Sequence, residues 1–395
     1  MHTITIANLD IVFGPSPPQA LALMDQGVDR KQIKNQTSNT IALQGVNLFV
    51  DQGEIFVIMG ESEAGKSTLL RAINGLISLT RGAVNICVHN PQPKHFSIAG
   101  AEPKLLRLIR TQYISMVLQK SALFQWKNIL ENVSLGLEIA GVKKSEREQR
   151  AYETLKLLGL SDYYLHYPKD LSSSMQQRVN LARALATNAP ILLMDEPFFS
   201  LEPLLKCQLQ QELLHMKKYL KRTIIFVTND LSEAFKIASR IAIMHEGKMI
   251  QVDRPQELLS HPKNKYVREF LQHADHTQLL RAHTIMTNMN ELQTNSDHSA
   301  VFLDDGGTFR CLLDNQGRPR RSICGDIEGR IIPWTLFQCG TFSENDIILG
   351  HEYLSIKELI SAMGRTKRPM IIQDKSGKMI GAITSDSIIR ALANK

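Results

Sequence analysis

Residues 1–13, MHTITIANLDIVF, alternate apolar and polar positions, as a strand with one wet face does. A polar segment follows, within which Ala20 to Met24 predict a short helix. TIALQGVNLFV and EIFVIMG predict two further strands, and Lys66 to Leu76 a helix. From Asn128 to Leu160 the period becomes helical, with Ser145 and Glu148 spaced as a capping box. PILLMDEP and RTIIFVTND are continuous apolar runs, the pattern of strands buried on both faces. A helix predicted over Pro203 to Tyr219 separates them, giving the strand–helix–strand rhythm of a parallel sheet. Beyond about Ala274 the texture turns polar and loop-rich. It ends in RPMIIQDKSGKMIGAITSDSIIRALANK, which predicts strand, turn at Ser376–Gly377, strand and helix. The pattern sets a boundary near residue 275, giving domains over 1–274 and 275–395.

Composition narrows this picture only slightly. A chain of 395 residues exceeds one ordinary core and is expected to form two or three domains. No run approaches the roughly 18 apolar residues of a membrane span. The N-terminus lacks the basic and apolar regions of a signal peptide. Five cysteines (Cys87, Cys207, Cys311, Cys324 and Cys339) are scattered, without a C-x-x-C pair. That spacing points to reduced thiols and away from a disulfide framework or zinc site. The net charge of +7 comes from lysines and arginines spread along the chain, so no nucleic-acid partner is expected.

The chemistry concentrates in GESEAGKST, Gly60 to Thr68, which fits the phosphate-loop pattern G-x-x-x-x-G-K-[ST]. A predicted strand ends at Gly60 and a predicted helix begins near Lys66, the context the mechanism needs. Backbone N–H groups of Ser62, Glu63, Ala64 and Gly65, with the helix N-terminus at Lys66–Thr68, would cradle the phosphates of ATP. Lys66 would reach the β- and γ-phosphates, and the Ser67 hydroxyl would bind Mg²⁺. Downstream, Asp195 ends an apolar strand where a carboxylate that holds Mg²⁺ through water belongs. Glu196 beside it is the group placed to polarise an attacking water.

The order of a phosphate loop, the lone glutamine of MVLQK, a helical stretch, LSSSMQQR, ILLMDE and FVTND resembles ATP-binding-cassette (ABC) ATPases from Ile4 to about Leu271. The resemblance implies an α/β P-loop NTPase with a RecA-like core, an antiparallel β subdomain and a helical subdomain at about 120–185. It also implies a dimer, most simply a homodimer, in which each ATP lies between the phosphate loop of one subunit and the L-S-G-G-Q signature of the other. Carried over by position, Gln119 is the glutamine that touches Mg²⁺ and senses the membrane partner. Ser172, Ser173, Ser174 and Gln176 fall on the signature. Asn229 stands where the family has a switch histidine facing the γ-phosphate, and Phe13 is a candidate to stack on adenine, with a buried core role the alternative.

The last fifty residues, and more faintly Thr284 to Arg320, resemble paired cystathionine-β-synthase-type (CBS) repeats, an α+β module. A cassette followed by such a pair resembles the ATPase subunit of glycine betaine, proline betaine and choline importers. DIVFGPSPPQALALMDQG is closer to the choline type, and histidine importers stay open. The implied partners are a transmembrane permease, a second cassette and, indirectly, an extracytoplasmic substrate-binding protein, with the chain on the cytoplasmic face of the membrane. Adenosine-binding CBS repeats carry a Gly-h-h-Thr-x-x-Asp pattern, h being apolar. Here Gly381 and Thr384 stand but Ser387 replaces the ribose-binding acid, and Asp386 is one place early, so a packing or ionic-strength-sensing module is expected.

The departures from the family pattern all bear on turnover. Glu63 replaces a usual glycine inside the cradle. A carboxylate about 6 Å from a phosphate charge repels it by about 2–3 kcal/mol at an effective dielectric near 20, which screening reduces to about tenfold in affinity. Ser173 and Ser174 replace both signature glycines, and Glu202 the aspartate of the following loop. Asn229 can donate a hydrogen bond but cannot carry a proton. In a dimer neither composite site escapes these changes. Two expectations follow: an importer ATPase with attenuated turnover, or a nucleotide-binding regulator with negligible hydrolysis.

Overall fold

The computed structural model describes residues 2–89, 93–119, 122–199, 201–215, 222–272, 281–295, 299–304, 306–337, 343 and 345–393. The chain divides into two units, Met1–Arg268 and Glu269–Lys395. The boundary expected near residue 275, the end of the helix beyond His215, Ser200 and Cys339 lie outside the described residues.

In the first unit β1 (His2–Phe13), β2 (Thr40–Asp51), β4 (Arg81–His89) and β5 (Pro93–Ser97) form an antiparallel sheet ordered β2-β1-β4-β5. Between β1 and β2 the chain forms α1 (Pro17–Asp25) and α2 (Arg30–Thr37). The second sheet is ordered β10-β9-β3-β8-β7-β6. Its strands are β3 (Ile55–Met59), β6 (Ile114–Val117), β7 (Ile191–Asp195), β8 (Thr223–Val227), β9 (Arg240–His245) and β10 (Lys248–Asp253). All pairings in it are parallel except β10 with β9. Every residue of β3, β7 and β8 is buried, which is why these strands read as unbroken apolar runs. Helix α3 (Lys66–Ile73) joins the sheets: its Leu69, Leu70 and Ile73 share one core with Leu43 and Val46 of β2 and with Phe56, Ile58, Leu193 and Ile225. The core strands β3, β7 and β8 therefore share one packed core with α3.

The helical region consists of α5 (Ile129–Ile139), α6 (Lys144–Leu157) and α7 (Ser173–Ala186), following a short α4 (Pro103–Leu108). The capping box expected at Ser145–Glu148 is not formed. Gly141, at φ 80°, breaks the helical run, and α6 restarts at Lys144, so Ser145 already sits in its first turn. The box belongs to α5 instead, where Asn128 Oδ1 accepts from Glu131 N (2.8 Å) and Glu131 Oε2 from Asn128 N (2.9 Å). The first unit closes through α8 (Pro203–His215), α9 (Leu231–Ile237) and α10 (Pro255–Ser260), and the division after Arg268 falls within α11 (Lys265–Gln272).

The second unit holds a four-stranded antiparallel meander within 300–329 and a five-stranded mixed sheet. In the mixed sheet Ile331–Pro333, Ile347–His351 and Met370–Gln373 run parallel, and Met379–Ile383 returns antiparallel. Helices Ile356–Thr366 and Ser385–Ala393 follow the second and last of these strands, and the turn expected at Ser376–Gly377 is present, with Gly377 at φ 85°. Asp346 is 2% exposed and ties this unit's strands: it accepts from Arg330 Nη2 (2.9 Å) and Ser343 N (2.8 Å). Burial pushes its carboxyl up, but the Arg330 and Ser343 hydrogen bonds outweigh that and hold it at about 2, below the ordinary 3.8. A depressed carboxyl contributes stability above its unfolded pKa and loses it as pH falls through the folded value. Because Arg330 is largely exposed, the contribution is about 1–2 kcal/mol. Asp346→Asn is expected to lower the stability of the full chain's second unit by that amount at pH 7. The difference from wild type should vanish between pH about 4 and about 2 in denaturant titrations; a difference that persists at pH 2 would refute the ion-pair account.

Candidate functional site

The phosphate loop lies between β3 and α3. Gly60, at φ 154°, packs so closely under β9 that a Cβ would collide with the Met244 carbonyl, and at Gly65, φ 98°, a Cβ would sit 2.7 Å from the Ala42 carbonyl. Only glycine fits either place. Glu63 also takes left-handed backbone, φ 66°, so the residue that the sequence marks as anomalous stands where glycine would be unstrained. Lys66 is buried, and its ammonium donates to the carbonyls of Gly60 (2.8 Å) and Glu61 (2.7 Å), curled along the loop. Burial pulls its pKa down, against the pull of Glu196, Asp195 and Glu61.

Ser67 Oγ donates to Asp195 Oδ1 at 2.9 Å, joining the loop to the end of β7. Asp195 Oδ2 is buried without a hydrogen-bond partner, and burial pushes this carboxyl up. A buried carboxylate oxygen left unpaired next to a hydroxyl is a donor set suited to a hydrated divalent cation. The residues present therefore fit Mg²⁺.

Beyond Asp195 the chain turns through Glu196, at φ 46°. Left-handed backbone at a non-glycine residue costs on the order of 1–3 kcal/mol and persists where the surroundings enforce it. They do so here: Glu196 N donates to the Val227 carbonyl (3.0 Å), Gln119 Nε2 to Glu196 Oε2 (3.0 Å) and Asn229 Nδ2 to Glu196 Oε1 (2.7 Å). Gln119 and Asn229, far apart in sequence, thus meet on the Glu196 carboxylate. Phe13, Glu63 to Thr68, Gln119 and Glu196 line one groove of about 490 Å³, which also takes in Ser62. Phe13 is 47% exposed at the end of β1, which removes the core alternative for it.

The signature residues do not line that groove. Ser172 caps α7, its hydroxyl accepting from Met175 N (3.3 Å) and lying 3.2 Å from Ser174 Oγ. Gln176 is turned back on its own loop, donating to the carbonyls of Pro168 (2.9 Å) and Leu171 (3.2 Å), so its amide braces the approach to α7. Glu202, 78% exposed, reaches Arg178 of α7 at 3.4 Å.

Several supporting residues carry no motif signal. Asn132, fully buried, donates to the carbonyls of Phe124, Lys127 and Asn128 and accepts from Phe124 N. Asn180 donates to Leu118 O (2.9 Å) and Arg183 to Ala122 O (2.8 Å), which hang the Gln119 loop from α7. Lys206 of α8 pairs with Asp230 (2.7 Å) and Glu233 (2.5 Å) under the Asn229 turn. Only the periodicity of α7 hinted at the first pair, and nothing hinted at the last. The basic residues Arg30 and Lys34 also line the groove, and sequence reasoning missed them because α2 has no pattern of its own.

A phosphate loop on a parallel sheet, an antiparallel sheet beside it, a helical subdomain and a carboxylate pair at the end of β7 define a P-loop ATPase of the nucleotide-binding cassette class. Residues 43–199 match the family model described as ABC transporter. The chain is 35% identical to the glycine betaine/carnitine transport ATP-binding protein GbuA of Listeria monocytogenes, over 100% of this chain and 98% of that protein. It is 43% identical to the glycine betaine transport ATP-binding protein OpuAA of Bacillus subtilis, over 99% and 92%. The dimeric post-hydrolysis structure of the ATP-binding cassette MJ0796, bound to ADP and Pi, superposes with a TM-score of 0.54 at 29% identity, covering 64% of this chain and 98% of that one. The chain belongs to the ATP-binding subunits of ABC transporters, in the branch of the glycine betaine transport ATP-binding proteins.

Proposed function

We propose that the chain binds and hydrolyses Mg·ATP to drive import of a quaternary-amine osmoprotectant through a membrane permease. The observation that carries this is the convergence of Gln119, Asn229 and Glu196 beside the Ser67–Asp195 pair and the Lys66 loop. In this assignment the loop N–H groups and Lys66 hold the β- and γ-phosphates, Phe13 faces the base, and Ser67, Asp195 and Gln119 hold magnesium. Bound magnesium would supply charge neutralisation between the phosphates. Glu196 lines the groove, and each of its oxygens, accepting one hydrogen bond, keeps acceptor capacity with which a water can be polarised. Ser172–Ser174, outside the groove of their own chain, are positioned for a second cassette's ATP, as the dimeric relative supports.

The solute is read from relatives alone. A Bacillus subtilis choline transport ATP-binding protein, OpuBA, is 37% identical over 58% of this chain, whereas the glycine betaine relative covers 99%. Glycine betaine is therefore the first solute to test and choline the second. Among the described residues no helix is long and apolar enough to cross a membrane, which suits a subunit docked on a permease from the cytoplasmic side.

The second unit is assigned as a tandem CBS-type regulatory module. Support comes from two like hairpins 60 residues apart, Asp314-Asn-Gln-Gly317 and Asp374-Lys-Ser-Gly377. In each the aspartate accepts from the backbone N–H groups two and four residues on, and the glycine has φ 75° or 85°. Thr384 caps the last helix, its hydroxyl accepting from Ser387 N (3.2 Å), and the Ser387 hydroxyl accepts in return from Thr384 N (3.3 Å), so Ser387, where the ribose-binding acid is missing, is engaged in a capping box.

The test is uptake of radiolabelled glycine betaine by proteoliposomes holding the chain, its genomic-neighbour permease and the binding protein. ATP-dependent uptake that disappears when the chain is omitted is expected. A permease that assembles and transports without it would refute the importer assignment.

A further inference from the structure

Helix α2 forms a wall of the nucleotide groove that the phosphate-loop pattern does not contain. Its rotation is fixed from the other side. Ile33 and Thr37, one turn apart, are buried, with Ile33 packed in a small core with Val12, Ala20, Met24 and Ile41. Its ends are fixed too: Asp29 Oδ1 accepts from Lys31 N (2.8 Å), and fully buried Asn39 bonds both the N–H and the carbonyl of Ser16. Arg30 and Lys34, four apart and so on one stripe, are thereby presented to the groove that Phe13 and Lys66 line. With Lys31 they also line an adjoining hollow of about 320 Å³ opposite Glu61, Glu63 and Glu246. None of the three cations forms an ion pair among the described residues.

The groove mouth thus sets three unpaired cations against three acids, one of them Glu63 inside the phosphate cradle. A polyanion entering a site with the acids alone would meet net repulsion; with α2 in place the local charge is balanced before the ligand's own charge is counted. We propose that α2 is a working part of the nucleotide site. Arg30 and Lys34 bind anionic oxygens of the nucleotide from the side opposite Lys66 and offset the charge of Glu63, which is how the loop tolerates an acid. The inference rests on the ATP-binding assignment above, and it turns the insertion between β1 and β2 from a spacer into an affinity determinant.

The test measures ATP and ADP affinity of the full chain by calorimetry, over a series of salt concentrations. Arg30→Gln with Lys34→Gln is expected to weaken ATP about tenfold at low salt and to flatten the salt dependence. ADP, with less charge, should lose less. Arg30→Lys with Lys34→Arg should hold within about threefold of wild type. Glu63→Gly placed on the double glutamine variant should recover most of the loss. A double variant with unchanged affinity would overturn the proposal. So would a loss equal for both nucleotides, unaffected by salt and not rescued by the conservative pair, because that pattern marks a merely structural helix. Lys66→Ala serves as reference: if it leaves ATP affinity intact, the ATP-binding assignment itself falls and this inference with it, whereas a loss there with none at α2 refutes α2 alone.

Discussion

Glu196→Gln is expected to reduce steady-state phosphate release by at least about 100-fold while ATP still binds, because a positioned base contributes about 10²–10⁴. Geometry explains why binding survives. Glu196 accepts from Gln119 on one oxygen and from Asn229 on the other. A glutamine keeps one acceptor oxygen, and its new NH₂ faces an amide that can turn its own oxygen inward, so both contacts re-form and the left-handed turn at 196 is held. What is lost is the basicity of the carboxylate, with Ser67, Asp195 and Lys66 untouched. The comparison separates the two expectations set out for this chain. Turnover of wild type above the variant establishes a working ATPase despite Glu63 and Asn229. Equality, with ATP bound by both, would make the chain a nucleotide-binding regulator.

The residues that meet at Glu196 were legible in sequence, and the way they meet was not. Strands β3, β7 and β8 announced themselves because strands covered on both faces need apolar side chains at every position. Each then delivers its chemistry in the residue or two past its end: Gly60, Glu196 and Asn229. Helix α2 stayed hidden because its contacts with the core are Ile33 and Thr37 alone, too few for a period. Its cations look like a solvated run until the pocket they face is seen. The box at Ser145–Glu148 failed for a related reason: a three-residue spacing says nothing about where the helix starts, and Gly141 had already decided that. Asn180, Arg183 and Lys206 are ordinary residues in helices. Their role depends on loops 60 or so residues upstream or 24 and more downstream, and no local pattern encodes that.

Asn229→His combined with Ser173→Gly and Ser174→Gly is expected to raise turnover about tenfold or more above wild type. Asn229 spends its amide on Glu196 Oε1 at 2.7 Å, so the group that should face the γ-phosphate is a neutral donor tied to the base. A histidine at the same place donates equally well, and in its charged form makes a hydrogen bond worth about 1–2 kcal/mol more toward developing negative charge, or about tenfold in rate. The serines act at the other end of the composite site. They are the first two residues of α7, whose free N–H groups are the anion-binding end, and Ser174 Oγ lies 3.2 Å from the Ser172 hydroxyl. Glycines would clear the approach to those N–H groups and leave the Ser172 hydroxyl for a phosphate oxygen. In the proposed dimer the signature and the switch would serve opposite faces of one ATP, so the gains should multiply rather than overlap. Phosphate release by the single, double and triple variants checks this, each corrected by its own Glu196→Gln blank. If the triple variant is no faster than wild type, the attenuation does not lie in these residues, and Glu63 and Glu202 are the departures that remain, testable by Glu63→Gly and Glu202→Asp in the same assay.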